Sequence, residues 1–151
     1  MAARRDPGGE RPGNARSVAR LNSLISNAGE VDGIQVLSPA TIGLIFDEQS
    51  SGIGLAAGLP VRFGIGFALP LPRTAPYIPP GRRCFWFGWG GAIVVNALEH
   101  SLTMAYVMNK MGDGSSDGLG TDRTSAYTTA LSCAGVEMVG SGSERRSLRE
   151  S

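Results

Sequence analysis

Phe85-Trp-Phe-Gly-Trp-Gly-Gly-Ala-Ile-Val-Val-Asn96 is the stretch whose conformation decides the fold. Its aromatic and β-branched residues favour an extended backbone. Gly88, Gly90 and Gly91 interrupt it, which marks a bulge or a close approach by another backbone or a ligand. Period-two alternation puts Trp86 on the opposite face from Phe85 and Phe87. After this β region, Ala97-Leu98-Glu99-His100 reads as a turn. Leu102 to Asn109 then reads as a strand that is apolar on both faces apart from Thr103, and so is expected to be central and covered on both sides. Before it, Val61, Phe63, Ile65, Phe67 and Leu69 alternate with Arg62, Gly64, Gly66 and Ala68. That pattern predicts one strand over 61–69 with a nearly bare second face. The three segments together predict an antiparallel, three-stranded meander.

Working outward, Pro70, Pro72, Pro76, Pro79 and Pro80 break the stretch before Phe85 into an extended loop. Residues 50–60, rich in Ser, Gly and small apolar side chains, read as a loop closing on Pro60. Asn14 is a helix N-cap, and Val18, Leu21, Ile25 and Ala28 follow on one helical face. Gly29 suits the position just past the end. After a connector in which Ile34, Val36 and Leu37 are apolar, Ser38-Pro39 supplies a cap and a first helical residue. Ile42, Ile45 and Phe46 then give a second helix ending near Gln49. A last helix is expected from Thr121 or Asp122 to about Ala134, with Ala126, Ala130 and Cys133 on one side. Residues 1–13 and 139–151 have the composition of disordered tails, which leaves 14–138 as the folded part. The order of elements predicts an α+β fold: an antiparallel meander with flanking helices.

Composition narrows the function classes. The chain has 151 residues, the size of one domain, and a net charge of +1, so no global field selects nucleic acid or an anionic membrane. Arg4, Arg5, Arg11, Arg16 and Arg20 crowd the start, either as a nucleic-acid arm or as a solvated tail. No aromatic or repeat pattern accompanies them, which favours the tail and leaves nucleic acid off the expected partners. No apolar run reaches about 18 residues, and no apolar core of a secretory signal is present. The cytoplasm is the default compartment on that reading. Cys84 and Cys133 either form one disulfide or remain two free core thiols, and their spacing makes no metal motif. Asp113, Asp117 and Asp122 miss the spacing of a calcium loop. His100, the only histidine, falls in a turn. No cofactor is expected.

Five blocks carry a resemblance. They are Gly13-Asn-Ala-Arg-Ser-Val-Ala-Arg20, Leu37-Ser-Pro39, Val61-Arg-Phe-Gly-Ile-Gly-Phe67, Trp89-Gly90-Gly91, and Ser101-Leu-Thr-Met-Ala-Tyr-Val-Met-Asn-Lys-Met111. In this order they resemble the C-terminal part of a serine hydrolase of the β-lactamase, penicillin-binding-protein and esterase superfamily. The resemblance covers residues 13–111 and extends to the expected last helix. It implies a partial β-lactamase/transpeptidase-like fold. In that family a strand beside the active-site floor carries Lys-Thr-Gly, His-x-Gly or Trp-Gly-Gly. The resemblance therefore implies that Trp89, Gly90, Gly91 and Ala92 form a substrate wall. The Ala92 N–H would be one oxyanion donor, a contact worth about 3 kcal/mol in comparable sites. Gly90 and Gly91 would let a substrate backbone approach where a Cβ would block it. Taken without the flanking blocks, the same residues read as a glycine-rich bulge in a strand packed on a helix.

The chain departs from the family at the catalytic centre. It has no Ser-x-x-Lys, because Lys110 is the only lysine and Val107 lies three residues before it. Neither Tyr77, Tyr106 nor Tyr127 has Asn two positions on. The nucleophilic Ser, the Lys and the catalytic Tyr are thus missing. A small acyl substrate is expected only in a full-length context. The alternatives are a non-catalytic binding or structural module and a truncated fragment without function. Without the family's N-terminal strands and covering helix, an exposed sheet is expected to invite self-association.

Overall fold

Capping chemistry sets both helices of the described region, residues 14–55, 58–88 and 90–109 of a computed structural model. In helix α1 (Ala15–Ser26) the Asn14 side chain accepts the Ser17 N–H at 2.9 Å. The chain leaves α1 through Gly29 at φ +96°, where a Cβ would collide with the Leu37 carbonyl oxygen. A hairpin follows, β1 (Glu30–Val31) against β2 (Ile34–Gln35). Its two-residue turn, Asp32-Gly33, has φ +52° and +78°, as a type I′ turn requires. Helix α2 (Pro39–Ile45) has Pro39 at its start and Ser38 as cap, accepting the Thr41 N–H at 3.0 Å.

Seven strands in all complete the described region. β3 (Ser50–Ile53) pairs antiparallel with β4 (Pro60–Phe63). β5 (Arg83–Phe87), β6 (Ile93–Ala97) and β7 (Leu102–Tyr106) form an antiparallel meander. Ala68 joins the two groups, bridging Phe63 on one side and Phe85 on the other. The register places Phe85, Val95 and Met104 in one cross-strand row and Cys84, Asn96 and Thr103 in the next. Rows alternate between faces. On the Phe85 face, Ala75 and Ile78 pack against Ala68, Phe85, Ile93 and Val95 in one buried cluster. On the Cys84 face, Ile25, Ile42 and Leu69 pack with Cys84.

That second face is held to α1 by polar contacts. The Ser26 and Thr103 hydroxyls lie 2.8 Å apart, and Thr103 donates to Asn96 Oδ1 at 2.9 Å. Asn96 Nδ2 in turn donates to Asn22 Oδ1 at 3.4 Å and to Cys84 Sγ at 3.7 Å. Asn96 is fully buried and Ser26 is buried with it. A chain of satisfied side chains therefore stands where an apolar stripe was expected.

The α+β class and the antiparallel sheet agree with the sequence reading, but several elements differ. The expected helical stripe included Leu21, which is 76% exposed, while Asn22, Ile25 and Ser26 face the sheet. Helix α2 stops at Ile45 rather than near Gln49. Residues 50–53, expected as loop, form β3. The strand expected over 61–69 ends at Phe63, because the chain turns at Gly64–Phe67 and only Ala68 rejoins the sheet. The single β region over 85–96 is a hairpin of two strands. The strand expected over 102–109 ends at Tyr106, and among the described residues it is an end strand of half-buried residues. The last helix and both expected tails lie outside the described residues.

The polar chain makes a quantitative prediction. Asn96→Ala removes the hub and strands the partners of a buried group, at an expected cost of about 2–3 kcal/mol. Leu21→Ala, on the exposed side of α1, should stay within about 0.5 kcal/mol. Urea denaturation of the two variants against the parent chain checks the contrast.

Candidate active-site wall

Gly90 and Gly91 of the Trp-Gly-Gly motif sit at the tip of the β5–β6 hairpin. Beyond Phe87, the Gly88 N–H donates to the Ala92 carbonyl at 2.8 Å and the Gly91 N–H to the Gly88 carbonyl at 2.9 Å. These two bonds close a tight loop in which Gly91 takes φ +111°, a conformation that favours glycine. Gly90 and Gly91 are buried and Ala92 is half-buried. Trp89 lies outside the described residues. The glycines therefore have a structural task, turning the chain back onto β6, whatever else they do.

The aromatic residues beside this loop divide as alternation predicts. Phe85 is buried in the core, whereas Trp86 is 45% exposed. Trp86 packs against Phe63 with ring centroids 5.4 Å apart. A hollow of about 240 Å³ next to the loop is bordered by Val18, Trp86, Gly88, Ala92 and Tyr106. A larger cavity of about 470 Å³ lies between β4 and β5, with Val61, Phe63, Ala68, Phe85 and Phe87 among its walls. The sequence reading missed this cavity, since it treated 61–69 as one straight strand. The Gly64-Ile-Gly66 segment was the available signal, as paired glycines inside a short alternating run mark a place where the chain can turn.

The remaining reactive groups are accounted for by packing. Cys84 is a free, fully buried thiol. Burial pushes it up to about 12, against a smaller lowering by the Asn96 amide. Cys133 lies outside the described residues, as do Asp113, Asp117 and Asp122. His100 sits exposed on a 3₁₀ turn (Leu98–His100), where its Nε2 lies 3.1 Å from the Arg83 guanidinium. Because Arg can only donate, that nitrogen is an acceptor. Arg83 is buried, with its other contacts to the Pro80 carbonyl and, at 3.8 Å, to Glu99. The Glu48 carboxyl is held below the usual range by hydrogen bonds from Arg62 first and Ser51 second. Among the described residues, no group of three His, Cys, Asp or Glu could hold a metal ion. No helix of the described region is long and apolar enough to cross a membrane.

Two solved structures share this architecture. A penicillin-binding protein homologue from Caulobacter crescentus superposes with a TM-score of 0.64 at 26% identity over 78% of this chain. A family VIII carboxylesterase superposes with a TM-score of 0.68 at 24% identity over 81% of this chain. The chain spans 31% and 32% of their respective lengths. No protein-family model and no curated protein matches. The fold class is that of the penicillin-binding proteins and β-lactamase-like serine hydrolases. The resemblance carried by the five sequence blocks thus has a structural counterpart.

The thiol offers a test of the packing beside the candidate wall. A raised thiol pKa means that the folded state holds the protonated form. Its stabilising contribution is fully present below the ordinary thiol pKa, about 8.5, and is lost as pH rises toward the folded value of about 12. In a Cys133→Ser variant, Cys84 should therefore resist a disulfide reagent at pH 8 until urea unfolds the chain. Stability should fall between pH 9 and 12 more steeply than in the Cys84→Ala, Cys133→Ser double variant.

Proposed function

We propose that this chain is the C-terminal section of a serine hydrolase that cleaves ester, amide or β-lactam acyl donors through an acyl-enzyme. The observation that supports it is the joint likeness to a penicillin-binding protein homologue and a carboxylesterase, of whose lengths the chain covers 31% and 32%. The absence of Ser-x-x-Lys from the chain fits the same reading. In the complete enzyme a Ser oxygen attacks the acyl carbonyl carbon, with a Lys and a Tyr moving its proton to the leaving group. All three groups come from the part of the fold not represented here. Trp89, Gly90, Gly91 and Ala92 serve as one wall of the site. The Ala92 N–H stabilises the oxyanion of the tetrahedral intermediate. The outer edge of β7, unpaired among the described residues, is where the missing strands add.

Two experiments bear on this. The purified chain should hydrolyse neither a chromogenic β-lactam nor a p-nitrophenyl ester above background. Saturable turnover abolished by a serine-directed phosphonate would place a nucleophile inside the chain and overturn the assignment. Co-expression with the N-terminal portion of a family VIII carboxylesterase should improve solubility and reduce binding of a hydrophobic dye. A monodisperse monomer with a cooperative melt and no dye binding would instead make the chain an independent module.

A further inference from the structure

The cavity between β4 and β5 lies outside the wall assigned to the motif. Its volume of about 470 Å³ is within the range of small-molecule sites, roughly 300–1,000 Å³. Val61, Phe63, Ala68, Phe85 and Phe87 form its interior, and the hairpin-tip residue Leu55, itself fully exposed, stands at its rim. Among the described residues three side chains with a polar group line it, Arg62, Thr74 and the indole of Trp86, and the first two are committed elsewhere. The Arg62 guanidinium pairs with Glu48 and lies 3.5 Å from the Pro70 carbonyl, and the Thr74 hydroxyl donates to the Pro60 carbonyl.

That lining selects its occupant. A carboxylate or ammonium group would give up water against a mostly apolar lining whose one charged side chain, Arg62, is already neutralised by Glu48. A polypeptide segment would bring an N–H and a C=O with every residue, which side chains of this kind cannot satisfy. An uncharged apolar group meets neither penalty. At roughly 30 Å³ for a water-sized heavy atom, the space holds about fifteen such atoms. The cavity also neighbours the candidate wall along the chain, because Phe85, Trp86 and Phe87 line it and the strand that carries them leads to Gly88. We propose that this cavity binds the uncharged apolar portion, an aryl ring or a medium-length alkyl chain within that volume, of an ester donor whose reacting end lies toward the loop. The substrate class rests on the hydrolase reading, whereas the binding itself does not.

Calorimetric titration of the purified chain tests it. Methyl octanoate should bind saturably at one site per chain, octanoate at pH 8 at least tenfold more weakly, and methyl acetate not measurably. Val61→Phe, which fills the interior, should weaken methyl octanoate at least tenfold without altering the far-ultraviolet circular dichroism spectrum. Leu59→Asp, at the rim, gives a second variant with the same expected loss if Val61→Phe fails to fold. Leu21→Ser, on the exposed side of α1, should leave binding unchanged. Unsaturable binding, equal affinity for the anion, or loss in Leu21→Ser with none in the cavity variants would overturn the proposal. If binding follows the expected pattern but the complemented enzyme shows no phosphonate-sensitive turnover, the hydrolase reading fails while the cavity assignment stands.

Discussion

Phe85 and Ala68 exchange both of their backbone hydrogen bonds, each at 2.9 Å, and the described region is organised around that pair. β4 and β5 do not pair directly. One residue stands between them, bonded to Phe85 on one side and bridged to Phe63 on the other, with the Leu69 N–H adding a bond to the Arg62 carbonyl at 2.7 Å. A fold-back this short is possible because Gly64 packs directly under Ile45, where a Cβ would strike the Ile45 carbonyl oxygen, and because Gly66 takes φ +75°. The sheet is therefore stitched over a very short length and opens on the Phe85 face into the cavity. A longer strand over 61–69 would have paired along β5 and closed it. The same pair fixes which residues line that space, since Ala68 and Phe85 form its floor.

Elements governed by local chemistry were legible in the sequence. Asn14, Ser38-Pro39 and the Ala97–His100 turn are set by caps and φ preferences that act over three or four residues, and each lies where the sequence places it. The alternation that puts Trp86 opposite Phe85 also holds. What failed depends on partners distant in the chain. The α1 face was read from its apolar residues, but the surface it meets presents Asn96 and Thr103, so the buried side of the helix is the one that can hydrogen-bond. Leu21 is left in solvent. Thr103, taken as the exception in an apolar strand, is in fact the link between α1 and β6. The Asp32-Gly33 turn was a local signal in plain view that the reading passed over.

The candidate wall rests on the resemblance to a family alone. Residue chemistry alone offered a glycine-rich interruption, and the hairpin loop closed by Gly88 and Ala92 gives that interruption a sufficient structural cause. The glycines can serve turn and substrate at once, because the absence of a Cβ is what both require. The bland readings of the reactive side chains held better. Cys84 is a core thiol, and His100 is a turn residue whose acceptor nitrogen faces a buried arginine. Nothing in the sequence announces that Arg83 is buried, since its strand position says only which face it occupies.

The two open places of the described region ask for different things. β7 is half-buried along its whole length, with α1 over one face and an outer edge that pairs with no described strand. An unpaired edge carries backbone N–H and C=O groups as well as apolar side chains, and only another extended segment satisfies both. The cavity between β4 and β5 makes no such backbone demand on its occupant, and Arg62 and Thr74 in its lining are already partnered. Apolar area is enough there. The edge is therefore suited to polypeptide and the cavity to a small neutral group. Both openings follow from where this chain's own pairing stops: at Tyr106 on one side of the meander, and at Ala68 on the other.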